Sequence, residues 1–272
     1  MLELLPILSR CARVILACIP SVAFAATPAV QGVPRLDEAA RAAHQQLVEK
    51  THQGRIDLYF LGDSITRRWG ATDYPEFLAN WNLNFHGWNA AVFGVGGDTT
   101  QNMLWRIENG ELDGVNPKVI VLLAGTNDVG RTPHADVAEE VPKKILALID
   151  RCRAKAPGAT IILTAIFPRN DTTEANPVIG QINAKIATFA DAKTVRFLNI
   201  NDQLADQDGQ LREGVTMDKL HLSAKGYQIW ADALKPLLTE ILGPPHPTSK
   251  APTATSEPAT RFRQSARLGI HT

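Results

Sequence analysis

Short apolar runs and longer amphipathic stretches alternate along this chain. "IDLYFL" (56–61), "AAVFGV" (90–95), "PKVIVLLAG" (117–125), "ATIILTAI" (159–166) and the shorter "VRFLNI" (195–200) read as strands. The third is almost continuously apolar, which suits a parallel strand covered on both faces. Between the runs, "RLDEAARAAHQQLVEKTHQG" reads as a helix ended by Gly54, and "YPEFLANW" as a short one. "DTTQNMLWRIENG" is helical with Asp98 or Thr99 as N-cap and Gly110 as terminator. "PHADVAEEVPKKILALIDRCRAKAPG" is a long helix in which Pro142 predicts a break or the start of a second segment. "VIGQINAKIATFADAK" and "SAKGYQIWADALKPLLTEIL" complete the set.

Strand–helix alternation of this kind predicts an α/β fold, a three-layer α/β/α sandwich around a mostly parallel five-stranded sheet. In such sheets ligands bind beyond the carboxyl ends of the strands. Attention therefore falls on the residues just after each apolar run.

The two ends of the chain do not fit the alternation. Near the start, Arg10 and Arg13 are followed by an apolar run and Ala23-Phe24-Ala25. That is the layout of a secretory signal peptide, with cleavage expected after Ala25, and it predicts a secreted or periplasmic protein. The run is short for a bilayer span. Cleavage would remove Cys11 and Cys18 and leave Cys152 as a structural thiol with no disulfide partner. From Gly243 to Thr272 the chain is rich in Pro, Thr, Ser and Ala without apolar periodicity, so residues 243–272 are expected to form a disordered tail. Residues 26–242 remain as one domain.

Lys plus Arg and Asp plus Glu both number 28, so the formal net charge is zero and gives no electrostatic case for nucleic acid. No His, Cys and carboxylate cluster has zinc spacing, and no acidic loop has calcium spacing, so neither metal nor cofactor is expected.

Ser64, in "FLGDSIT", stands just past the first strand with nothing apolar to hide it. A serine hydroxyl needs a base to become a nucleophile. Among His44, His52, His86, His134 and His221, only His221 has a carboxylate at short spacing before a helix: Asp218, in "DKLH". The D-x-x-H spacing alone is common and equally describes a surface turn. "GVGGDTT" follows the second strand and offers the Gly97 N–H; "LAGTND" follows the third and offers the Asn127 amide. These are candidate oxyanion donors, or else parts of tight turns. "GVGGD" is not a dinucleotide fingerprint, and no G-x-S-x-G elbow is present.

With these four blocks in this order, the chain resembles the SGNH, or GDSL-type, hydrolases from Leu58 to about Leu238. It looks most like the branch of platelet-activating-factor acetylhydrolase catalytic subunits and bacterial carbohydrate esterases. The resemblance implies a flavodoxin-like SGNH fold and an acyl-transfer esterase. It implies Ser64 as nucleophile, His221 as base, Asp218 as its orienter, and an oxyanion hole of Ser64 N–H, Gly97 N–H and Asn127. Val92 stands where the family often has Asn, a change expected to alter packing and not the reaction. Asp63 is expected to fix the turn and Asp128 to brace a loop. Trp105 and Trp230 are expected in the core, whereas Trp69 and Arg131 are candidates for substrate binding. The resemblance implies hydrolysis of short, acetyl-type esters, with a small-molecule or carbohydrate ester as the expected partner and a sugar as the first expectation for its alcohol. Alternatives are a lysophospholipase or thioesterase with a longer acyl groove, an acyltransferase, and a non-catalytic carbohydrate-binding protein on the same fold.

Overall fold

The computed structural model describes residues 30–130 and 136–256. In chain order the elements are α1 (Glu38–Thr51), β1 (Leu58–Gly62), α2 (Ser64–Trp69), α3 (Pro75–Phe85), β2 (Ala90–Gly94), α4 (Thr100–Arg106), β3 (Val119–Leu122), α5 (Thr126–Val129), α6 (Val137–Lys155), β4 (Thr160–Thr164), α7 (Ala175–Ala187), β5 (Val195–Leu198), α8 (Asn201–Leu204) and α9 (Ala224–Leu242). The five strands form one sheet in the order β2-β1-β3-β4-β5, and every pairing is parallel. The expected α/β architecture is therefore present, with the sheet wholly parallel.

Successive strand residues feed opposite cores. Tyr59 and Leu61 of β1 pack with Phe93, Ile120 and Leu122 on one face. Leu58 and Phe60 pack with Val119 and Val121 on the other. All are buried, which is why these strands read as continuous apolar runs without alternation. The first face is covered from α1, α4, α6 and α7. The second carries aromatic residues of α2, α3 and α9 around Phe60.

Three sequence expectations change. First, α6 runs through Pro142 as one helix. Proline removes the hydrogen bond to the carbonyl four residues back, and that carbonyl, Ala138 O, instead accepts from Lys185 Nζ at 3.2 Å. Second, residues 243–256 are not a disordered tail but lie against the domain. His246 N donates to Gly87 O at 2.8 Å, Arg55 N to Lys250 O at 2.7 Å and Thr72 N to Thr255 O at 3.1 Å. Backbone groups hold this segment, so it needed no apolar periodicity; the rest of the expected tail lies outside the described residues, as does the expected signal peptide. Third, Trp69 is fully buried, stacked on Trp230 and Tyr227. Its Nε1 donates to Asn80 Oδ1 at 2.9 Å, so it walls no cleft.

Cys152 is buried on α6, and burial pushes its thiol up to about 12, in keeping with a structural role. Among the described residues no helix is long and apolar enough to cross a membrane.

Candidate active site

Strand β1 ends at Gly62, and Asp63 turns the chain into α2 by accepting from Ile65 N at 2.9 Å. Ser64 is thus the first residue of a helix, at the carboxyl edge of the sheet. Gly62 has a local reason to lack a side chain: a Cβ there would sit 2.0 Å from Thr66 Oγ1. A tight strand-to-helix passage at this position therefore requires glycine.

The histidine arrives from the far end of the sequence. Asp218 Oδ1 accepts from the backbone N–H of Leu220 at 3.2 Å and of His221 at 2.7 Å, closing a turn. Lys219 within it has φ of +67°, a left-handed conformation that costs a lysine roughly 1–2 kcal/mol. A short bridge from Thr216 to Leu222 and the N-cap of α9 at Ser223 clamp the turn on either side. Lys219 O also accepts from Asn170 N at 2.8 Å, which ties the turn to the loop after β4.

In this setting His221 Nε2 lies 2.9 Å from Ser64 Oγ, and His221 Nδ1 lies 2.7 Å from Asp218 Oδ2. The sequence separation bridged is 157 residues. Partial burial depresses the His221 pKa below the ordinary value; Asp218 opposes this and the charge of Arg68 adds to it. A ring that stays neutral near neutral pH can accept a hydroxyl proton. Asp218 remains below the usual carboxylate range: its partial burial works upward, but the His221 N–H and ring outweigh it.

The two candidate donor loops converge on the same edge. A Cβ on Gly96 would lie 3.9 Å from Ser64 Cβ, so the "GVGGD" turn borders the serine. Gly97 has φ of +82°, a conformation that favours glycine. Among the described residues neither the Ser64 nor the Gly97 N–H has a protein acceptor. Asn127, on α5, donates from Nδ2 to Asp98 O at 2.8 Å and faces Asp63 Oδ2 at 3.5 Å. The second contact is at the outer limit of hydrogen bonding, so it is the weaker hold on the amide.

Asp128 accepts from Thr100 N at 2.7 Å and Thr100 Oγ1 at 2.9 Å, bracing the start of α4 as expected. Thr99 caps α4 in a box with Asn102. Trp230 is in the core and Trp105 is half-buried, tilted against His44. Val92 packs on Gly70 without entering the edge. Arg131 lies outside the described residues, as does His134.

Sequence reasoning passed over what holds the donor loop. Asp98 is buried and accepts from Arg106 Nε at 2.6 Å; Arg106 also bonds Glu111 and reaches Gly62 O at 3.2 Å. Glu111 Oε1 is 2.8 Å from His44 Nδ1. Arg35 bonds Gly96 O and approaches Asp98 Oδ1 at 3.4 Å. A signal existed in "LWRIENGEL", where Arg106 interrupts the apolar positions of the helix and Glu111 stands just past its glycine terminator, beside Leu112.

Similarity to known proteins agrees with this geometry. Residues 60–229 match the GDSL-like lipase/acylhydrolase family. The chain is 32% identical over 213 residues to the human platelet-activating factor acetylhydrolase IB subunit alpha2 (Homo sapiens), covering 76% of this chain and 86% of that one. A platelet-activating-factor-type protein of Streptococcus pneumonia superposes with a TM-score of 0.60 at 27% identity, covering 73% of this chain and 92% of that one. A GDSL-like lipase of Bacteroides thetaiotaomicron gives 0.61 at 21% identity, covering 73% and 98%.

Proposed function

The chain belongs to the GDSL-like lipase/acylhydrolase family and is an ester hydrolase, and from that premise we propose that Ser64, His221 and Asp218 perform the acyl transfer. The observation that carries this reading is the chain of contacts from Ser64 Oγ to His221 Nε2 at 2.9 Å and from His221 Nδ1 to Asp218 Oδ2 at 2.7 Å. Ser64 Oγ attacks the ester carbon while His221 Nε2 takes its proton. The carbonyl π pair moves to oxygen, and that oxyanion rests on the N–H groups of Ser64 and Gly97 and on the Asn127 amide. Collapse expels the alcohol, which leaves with the proton from His221. Water then attacks the acyl-serine, again deprotonated by His221, and the acid departs as the proton returns to Ser64. Asp218 keeps the ring in the tautomer with hydrogen on Nδ1 and stabilises the transient imidazolium.

Short acyl groups, acetyl first, form the finer part of the proposal. The human relative's description as an acetylhydrolase supports it. A sugar as the alcohol, and export directed by residues 1–25, complete the reading. The arginine pair, apolar run and Ala23-Phe24-Ala25 support export, and mass spectrometry of the mature N-terminus checks it.

Two measurements test the chemistry. A fluorophosphonate should label wild type and leave Ser64→Ala unlabelled; equal labelling overturns the assignment of the nucleophile. A p-nitrophenyl ester series should peak at acetate, and a maximum at octanoate or beyond refutes the acetyl preference.

A further inference from the structure

Beside Ser64 the surface sinks into a depression of about 190 Å³. Alanines of α1 and Val95 make its apolar floor, and its walls carry Arg35, Arg67, Arg68 and Tyr74. Each of the three guanidinium groups beside the serine has a carboxylate neighbour: Asp37 and Asp98 for Arg35, Asp73 for Arg67 and Asp218 for Arg68.

Two of these arginines are engaged in holding structure. Arg35 bonds Asp37 at 2.9 Å as well as Gly96 O, and Arg67 bonds Asp73. Arg68 differs. It follows Ser64 by four residues on α2, so both side chains lie along one helix face. Its guanidinium carbon is 5.4 Å from the Tyr74 ring centroid, and Nη1 stands 3.5 Å from Asp218 Oδ2. Among the described residues it donates no hydrogen bond. A guanidinium has five N–H donors in a planar fork suited to carboxylate and phosphate oxygens. The aromatic face of Tyr74 supports both Arg67, at 5.9 Å, and Arg68 in the wall.

We propose that this depression is an anion subsite, in which the loosely held Arg68 binds a carboxylate or phosphate carried by the alcohol part of the ester. This inference rests on the acetyl-ester reading above: an acetyl group is too small to bear a second charged group, so the anion belongs to the alcohol. The preferred substrate class is then the acetyl ester of an acidic alcohol, such as a uronic acid or a phosphorylated sugar.

The test compares kcat/KM for 4-acetoxybenzoate and its neutral counterpart 4-acetoxybenzamide in wild type, Arg68→Gln and Arg68→Lys. Leaving-group electronics and any general loss of activity cancel when anionic-to-neutral ratios are compared between proteins. The ratio should fall about tenfold in Arg68→Gln and largely survive in Arg68→Lys. In wild type it should also fall as sodium chloride rises to 0.5 M, because a half-open pocket is screened. A second arm sets p-nitrophenyl hemisuccinate against p-nitrophenyl pentanoate. A preference for charge in this arm alone would move the anion to the acyl side and overturn the assignment. Phosphate is distinguished by repeating the comparison with acetoxyphenyl phosphate. Turnover of the benzamide with equal ratios in wild type and Arg68→Gln refutes the subsite and leaves the esterase reading intact. Failure to hydrolyse any of these esters refutes the esterase reading, and the subsite with it.

Discussion

Asp63, immediately before the proposed nucleophile, is fully buried, and burial raises its pKa to about 7, with the carboxylates of Asp98 and Asp128 pushing the same way. An unfolded aspartate titrates near 3.9. The folded protein therefore binds more protons than the unfolded chain between roughly pH 4 and 7. Whatever Asp63 contributes to stability is fully present below the unfolded value and is lost as pH rises through the folded one. Each unit of difference is worth about 1.4 kcal/mol, so the whole loss is about 4 kcal/mol, of which about 3 kcal/mol falls between pH 5 and 8. Asp63→Asn removes the titration but keeps an oxygen to cap Ile65 N. The new amide meets Asn127 Nδ2, now 3.5 Å from Asp63 Oδ2, as donor against donor, a cost that does not vary with pH. The assay is urea unfolding of both proteins at pH 5, 6, 7 and 8, followed by tryptophan fluorescence. Taking the difference at each pH cancels every other titrating group and the constant cost. The variant should gain about 3 kcal/mol on wild type across that range. A difference that stays flat with pH would falsify the claim that Asp63 holds its proton in the folded state.

Other consequences are directly measurable. Asn127→Ala should lower kcat on the order of 10²–10³-fold with KM little changed, as expected for a donor that acts on the developing oxyanion; a pure KM effect speaks against that role. Because burial and the Arg68 charge depress His221, the acid limb of kcat/KM should have a midpoint below about 6.5, with activity lost as pH falls through it. Arg68→Gln should move that midpoint upward, and a shift in the opposite direction contradicts the electrostatics. Truncation after Gly243 removes the backbone bonds made by His246, Lys250 and Thr255. At about 1 kcal/mol each, their loss should lower the Tm by several degrees, and an unchanged melting curve shows that the segment does not hold.

The strands were legible because a two-sided core writes itself as apolar runs; Ser64, Gly97 and Asn127 stood out because each follows such a run, and His221 because Asp218 precedes it by three residues just ahead of a helix. The helices α2, α5 and α8, of four to six residues, were not. They are too short to show a 3.6-residue period. Pro142 misled because its cost depends on a partner for Ala138 O, which Lys185 supplies from another helix. The docking of residues 243–256 uses backbone groups, whose partners leave no mark in side-chain pattern. Trp69 misled through proximity: five residues after Ser64 on a helix, its ring points to the opposite face, into the aromatic core.

The buried charges explain how so open an edge can hold its donors still. Asn127 is fixed through Asp98 O, and Asp98 is fixed by Arg106 from below and approached by Arg35 from the rim. Arg106 in turn reaches Gly62 O, the carbonyl from which the chain passes through Asp63 to Ser64. The strand end bearing the proposed nucleophile and the loop bearing Gly97 thus share one guanidinium. Charges this buried are a poor source of net stability, because desolvation offsets much of their attraction. Their value here is geometric: loss of Arg106 would strand Asp98 and Glu111 without their shared cation and release both loops together. Preorganised donors act on a transition state only if they do not have to move to meet it, and this network supplies that constraint from beneath the site.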